Sequence, residues 1–269
     1  MCVVHVGRGA VLLDSGPHLH LVADEERGLV PDGAVLPDPM DFATVRIAAL
    51  AAQRTPRRLS LDSWCGLPPR AVAHQSLRLA ATAPAPTAAG LSALAQALGD
   101  LPEVTSGGLR PEPIRALGPV LAKAALSHDR RGQQAALAAL IGAGPGATPT
   151  GDDVVVGILA GLHALADTHL TSADAAHAIA AALPPLLPRT TRASGQELAA
   201  AAVGRFSIRL HRLVAATADP NTARQVALAA SRWGATSGRD LASGLVSALY
   251  AARFTGMAAF TRLPERRSA

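Results

Sequence analysis

The first 75 residues alternate apolar and polar positions in short runs. "VVHV", "AVLLD", "HLHLVA", "GAVLP" and "RLSLDSW" are each β-leaning and separated by Gly, Pro or Asp. They predict a small β-sandwich or partly open barrel over residues 1–75. The Pro/Ala-rich stretch 76–90, with "TAPAPTAAG" from Thr82 to Gly90 at its end, predicts a linker or exposed loop. From residue 91 the pattern becomes Ala/Leu-rich, with Pro, Gly or Ser/Thr breaks. Helices are predicted at Leu91–Leu98, Pro113–Ser127, Gly132–Ile141, Asp152–Asp167, Ser172–Leu183, Gly195–Thr217, Pro220–Trp233 and Arg239–Arg253. The fold class expected is α+β: a β-rich start, then a larger α-helical domain over residues 91–269.

Composition narrows this little. Aromatics are 3% of the chain, so Ala, Leu and Val must fill the core, and few rings remain on which nucleic-acid bases could stack. The net charge of +5 is carried by scattered arginines, and Lys123 is the one lysine. Arg205, Arg209 and Arg212 stand at helical spacing and read as a solvated helix face. No apolar run is long and clean enough to span a membrane, and the start is broken by His5 and Arg8. These features point to a cytoplasmic protein without nucleic-acid or membrane partners. Cys2 and Cys65 define neither a disulfide framework nor a zinc site.

The helical part contains an echo. Thr150 begins "TGDDVVVGILAGL" and Ser237 begins "SGRDLASGLVSAL". Laid together without a gap, Thr150 matches Ser237, Gly151 matches Gly238, Asp153 matches Asp240, and Gly157 matches Gly244. A weaker copy, "SGQELAAAAVGRF", starts at Ser194. Ser/Thr followed three residues later by an acid approximates a capping box, which assigns Asp153, Asp240 and Glu197 to helix starts. Asp152 aligns with Arg239 and Gln196 and is left free by that pattern. The following helices are apolar nearly all round, hence buried. Their N-termini could therefore converge into a cradle for phosphate or carboxylate, with Thr190, Thr191 and Arg192 adding donors.

Other motifs fail on context. "GAGPG" follows a helical stretch rather than a strand, so it is no dinucleotide-binding turn, and Gly-Lys-Ser/Thr of a Walker loop is missing. His18 and His20 read as surface or turn packing rather than metal ligands. Cys65, beside Trp64, reads as a small buried hydrophobe.

"GAGPGATPTGDD", Gly142 to Asp153, resembles the AllH family, formerly a domain of unknown function. That signature is close to G-x-G-x-T-P-S-G-D-D before an apolar helix, and here Thr150 stands where serine is commoner. "GPHLHLV", "LSLDSW", "TTRASGQEL" and "GATSGRDLASGL" are similar to the family's other blocks, in the same order. The resemblance implies a transferase subunit that works with FdrA- and AllG-like companions in allantoin (purine) breakdown. The reaction implied is oxalurate plus phosphate to oxamate plus carbamoyl phosphate.

The candidate residues follow from the resemblance and the echo together. Asp152 and Asp153 are the catalytic candidates, or Mg²⁺ ligands if the carboxylates hold a cation beside the phosphate. Gly144, Gly146, Thr148, Thr150, Gly151, Thr191, Arg192, Ser194, Ser237, Gly238, Arg239 and Asp240 are the candidates for binding substrate or phosphate. Two alternatives stay open: another small-acid transferase or hydrolase with the same anion pocket, and a non-catalytic scaffold or ligand-sensing subunit. On this reading Asp153 caps its helix, and Asp152 is spared for chemistry.

Overall fold

The computed structural model describes residues 2–16, 18–24, 28, 30–36, 39–54, 78–79, 84–103, 105, 108 and 110–260. The "RLSLDSW" segment and Cys65 lie outside these. The fold is α+β, and the chain forms two compact units: residues 1–78 with 205–211, and residues 79–204 with 212–269.

In the first unit, β1 (Cys2–Val6), β2 (Ala10–Asp14), β3 (Leu19–Asp24) and β4 (Ala34–Leu36) form one sheet in that order. β1 and β3 flank β2 antiparallel, with Val3 opposite Leu13 and Leu12 opposite Leu21, and β4 runs parallel to β3. Alternation along β2 and β3 sends Val11, Leu13 and Val22 to one face. There they meet Phe42, Val45 and Ala49 of α1 (Pro39–Arg54). The β-leaning reading of residues 1–75 missed α1. Its spacing of 42, 45 and 49 is helical, and Asp41 in the first turn suits the helix dipole.

The His20 ring nitrogens lie 3.0 Å from Ser15 Oγ and 3.2 Å from the Asp32 carbonyl oxygen. Arg205 lies in an isolated bridge with Arg78 and pairs with Asp32 at 2.8 Å, so it shares no helix with Arg209 and Arg212.

The second unit is helical. α2 (Ala88–Asp100) begins inside the stretch read as a linker. It is followed by α3 (Glu112–Arg115), α4 (Leu117–Leu126), α5 (Arg130–Leu140), α6 (Thr150–Leu165) and α7 (Leu170–Ala182). A 3₁₀ turn at Leu187–Arg189 leads to α8 (Arg192–Ala202); α9 (Ile208–Ala216) starts within residues 205–211 of the first unit, and α10 (Pro220–Ala230) and α11 (Ser237–Phe260) complete the order. The helix expected over Gly195–Thr217 is thus two, parted at Gly204, whose φ of 78° a right-handed helix does not admit.

α6 and α11 form the centre. Every residue of α6 from Thr150 to Leu162 is buried. α11 packs along it, α4 and α5 pack on each other, α2 lies on α10, and α7 and α8 lean on α6. Short polar side chains start the outer helices. Thr87, Asp129, Thr191 and Asp219 accept hydrogen bonds from the N–H groups of Gly90, Gly132, Ser194 and Thr222. No helix among the described residues is long and apolar enough to cross a membrane.

Candidate functional site

α5 ends at Leu140, and the chain then turns through Gly142, Gly144 and Gly146, with φ of 79°, 109° and 99°. This left-handed run is open to glycine with little strain, which explains why the loop is spelled "GAGPG". Pro149 is the N-cap of α6, and no side chain caps it. The capping box expected for Thr150 and Asp153 is therefore absent. The N–H groups of this helix mouth are met by backbone instead: Gly151 donates to Ala143 at 2.9 Å, and Asp152 and Asp153 donate to Pro149 at 3.0 and 3.1 Å. A side chain at Gly151 would strike the Leu140 carbonyl, so this glycine lets α6 start hard against the end of α5.

Asp152 has the duty that Asp153 lacks. It is fully buried. Its Oδ1 accepts from the Gly142 N–H at 2.8 Å, and its Oδ2 accepts from the Ser194 hydroxyl at 2.8 Å and from the Thr190 hydroxyl. One carboxylate thus ties the glycine loop, the α6 mouth and the α8 mouth together. Thr191 adds a second tie, donating to the Ala147 carbonyl at 2.5 Å while accepting from Ser194 N–H at 3.1 Å. The expectation that Asp152 is dispensable to the fold is corrected by these contacts.

The second mouth meets the first. Thr148 Oγ1 and Ser237 Oγ are 2.9 Å apart. At α11, Gly238 donates to Trp233 and Asp240 to Thr236, both at 3.0 Å, and a side chain at Gly238 would strike the Ala230 carbonyl. The two helix starts are therefore built alike, and the three segments converge. The N–H groups of Gly151, Asp152, Asp153, Ser194, Gly195, Gly238 and Asp240 are met within the protein, whereas those of Thr150, Ser237 and Arg239 make no hydrogen bond to the described residues. Further unmet donors lie on the loop before α6. There the N–H groups of Gly144, Gly146, Ala147 and Thr148 make no hydrogen bond to the described residues.

Electrostatics separates the buried acids. Burial is the main cause that holds the Asp153 carboxyl well above its usual range, and the Glu197 charge adds to it. The Ser237 hydroxyl opposes the shift, and Asp240 and Asp152 add lesser repulsion. Asp153 Oδ2 is buried with no hydrogen-bond partner. Asp240 is also raised by burial, but Arg115 restrains it. Arg115 Nε lies 2.5 Å from Asp240 Oδ1, an ion pair that neither residue's sequence context signals. Arg239, a phosphate-binding candidate, is engaged elsewhere: it pairs with Glu103 at 2.5 Å and donates to the Leu101 and Pro102 carbonyls. Arg192 is exposed at the first turn of α8.

The Asp152 carboxylate is committed to protein donors rather than open to a Mg²⁺ ion. Both Asp152 oxygens are taken by N–H and O–H donors, and no group of three or more His, Cys, Asp or Glu among the described residues is placed to hold a metal.

Residues 140–249 match the family model described as oxamate carbamoyltransferase subunit AllH. Over that segment the chain is AllH-like. The match covers under half of the chain, yet it contains the glycine loop and all three helix mouths. No curated protein and no solved structure matches. Within the AllH-like segment the candidate residues divide by position. Asp152, Ser194, Thr191, Thr148 and Ser237 make the ties, Gly151 and Gly238 permit close packing, and Gly144 and Gly146 shape the loop.

Proposed function

We propose that the chain is a cytoplasmic subunit of an oxamate carbamoyltransferase that works with FdrA- and AllG-like companions in allantoin breakdown. It acts on oxamate or oxalurate with carbamoyl phosphate or phosphate. One observation carries the reading: the AllH match coincides with the segment in which a glycine loop is fixed by a buried carboxylate. Loop N–H groups without protein partners suit the oxygens of phosphate or a carbamoyl phosphate. In this reading Asp152 is a positioning residue that holds Gly142 and, through it, the loop. Phosphorolysis of oxalurate breaks the bond from the carbamoyl carbon to the oxamate nitrogen and forms one from that carbon to a phosphate oxygen. The leaving nitrogen takes a proton. Donors set around the phosphate would stabilise charge as the bond forms.

The structural ties at the helix mouths, Asp152 to Ser194 and Thr148 to Ser237, favour one alternative, a non-catalytic scaffold or ligand-sensing subunit. The test assembles the chain with its companions and measures carbamoyl phosphate formed from oxalurate and phosphate. Turnover that needs this chain and falls with Asp152→Ala, in a variant that still assembles, supports the first reading. Full turnover by the companions alone supports the second. No turnover in any combination removes the carbamoyltransferase reading.

A further inference from the structure

A second constellation stands outside the loop. A cavity of about 340 Å³ is walled by Ala95, Leu98, Gly99, Ala116, Pro119 and Val246, and it is lined also by Glu103, Glu112, Arg115, Arg239 and Ser243. Two guanidinium groups there share one carboxylate. Arg115 Nη1 donates to Glu103 Oε2 at 3.1 Å and to Oε1 at 3.3 Å, while Arg239 Nη2 lies 2.5 Å from Oε1. Arg115 is held from behind by buried Asp240, and Arg239 by two backbone carbonyls, so both cations are fixed in place. Glu103 is not fixed in the same way. It lies on the irregular segment after α2, its side chain is 38% exposed, and it faces Arg115, Arg239 and the Glu112 carboxyl. Glu112, lining the same cavity, has a buried Oε2 with no hydrogen-bond partner.

We propose that Arg115 and Arg239 are a carboxylate-binding site, filled in the ligand-free protein by Glu103, and that a small carboxylic acid bearing an N–H displaces Glu103 to enter the cavity. The Glu103 carboxylate shows the geometry a ligand carboxylate would take between the two forks. The apolar walls limit the remainder of the ligand to a small body, and Glu112 Oε2 is an acceptor waiting for its N–H. Exchange of one carboxylate for another keeps the charge around the arginines unchanged, which is why a swap is cheaper here than adding an anion to an empty pair. This site rests on the proposed function in one respect, the choice of oxamate as the probe.

The experiment is calorimetric titration of the full-length chain with oxamate, and with ethyl oxamate as the analogue without a charged carboxylate. Glu103→Gln keeps the shape of the internal occupant and removes its charge, so the oxamate Kd should fall about tenfold. Arg239→Gln should raise it about tenfold, and ethyl oxamate should not bind. Glu103→Gln decides alone should Arg239→Gln not fold. Equal oxamate affinity in wild type and Glu103→Gln overturns the proposal, as does ethyl oxamate binding as well as oxamate or an absence of saturable binding to both proteins. Oxamate binding that follows this pattern without turnover in the complex removes the enzyme reading and leaves the site. Turnover without such binding does the reverse.

Discussion

Gly157 and Gly244 occupy equivalent places on opposite helices. A side chain on Gly157 would strike the Leu241 carbonyl, and one on Gly244 would strike the Val154 carbonyl. Val154 and Leu241 are themselves a matched pair in the echo, as are Ile158 and Leu245, whose N–H groups lie 3.0 Å from the hypothetical Cβ atoms of Gly244 and Gly157. The crossing of α6 and α11 is therefore related to itself by an approximate two-fold. The echo also extends to the preceding helices, since Asp129 and Asp219 cap α5 and α10 in the same manner.

Because the two contacts are equivalent, their loss should be too. Gly157→Ala and Gly244→Ala each force backbone apart at a packed crossing, where overpacking costs typically about 1–3 kcal/mol and more when backbone must move. Urea unfolding should place both near or above the top of that range and close to each other. A variant as stable as wild type at either site removes the close crossing.

Asp152 gives a prediction opposite to the sequence expectation. Asp152→Ala strands the Gly142 N–H and two hydroxyls that now share a buried carboxylate. Each buried group left unmet costs about 1–3 kcal/mol. The loss should exceed about 3 kcal/mol by denaturant titration, and Ser194→Ala should cost less in the Asp152→Ala background than in wild type. Strict additivity of the two would mean the contact does not form.

Much of this was legible beforehand. The period-2 runs located the four strands of the described residues, and the aliphatic runs located the central helices. The matched glycines announced a close helix pair, and the shared Ser/Thr-Gly pattern announced that two helix starts meet. α1 was missed because β-leaning neighbours outweighed a clear 42, 45, 49 spacing. Asp152 was read as free of structural duty, and Asp153 as a cap, for a specific reason. The capping pattern assumed that Thr150 precedes its helix, whereas the helix starts there and Pro149 is the cap. A shift of one residue rotates each side chain by roughly 100°, which turns Asp152 toward the loop. Arg115 was invisible because its partners, Glu103 and Asp240, are brought to it by tertiary packing and by no local spacing.

The Arg115–Asp240 pair should be costly to break and pH-sensitive once broken. Arg115→Gln leaves the Asp240 carboxylate buried without its cation, for which about 3–5 kcal/mol is typical at neutral pH. Arg115 opposes the effect of burial on Asp240, so its removal raises that group further. A raised folded-state acid contributes full stability below the unfolded-state range and loses it as pH rises. The deficit of Arg115→Gln should therefore be largest at pH 8 and shrink towards pH 4.5 in thermal melts. A deficit that does not vary with pH would show that Asp240 bears no uncompensated charge in the variant.

Asp153 carries the strongest pH signature. Its carboxyl is buried beside Glu197, Asp240 and Asp152, and burial is the leading cause of its upward shift. In the unfolded chain it ionises near the ordinary aspartate range, about 3.9. Above that range the folded state holds a proton that the unfolded state has released, so stability falls with rising pH until the folded group ionises as well. Asp153→Asn removes this titration while keeping nearly the same shape and a polar group near the Ser237 hydroxyl. Relative to wild type, the variant should gain stability steadily from pH 4 to pH 8. The capping role expected for Asp153 requires the opposite order at neutral pH, with the variant weaker because an ionised cap is lost. Paired thermal melts across that range decide between them. A variant less stable than wild type at pH 8 would mean that Asp153 is ionised and favourably held in the folded protein.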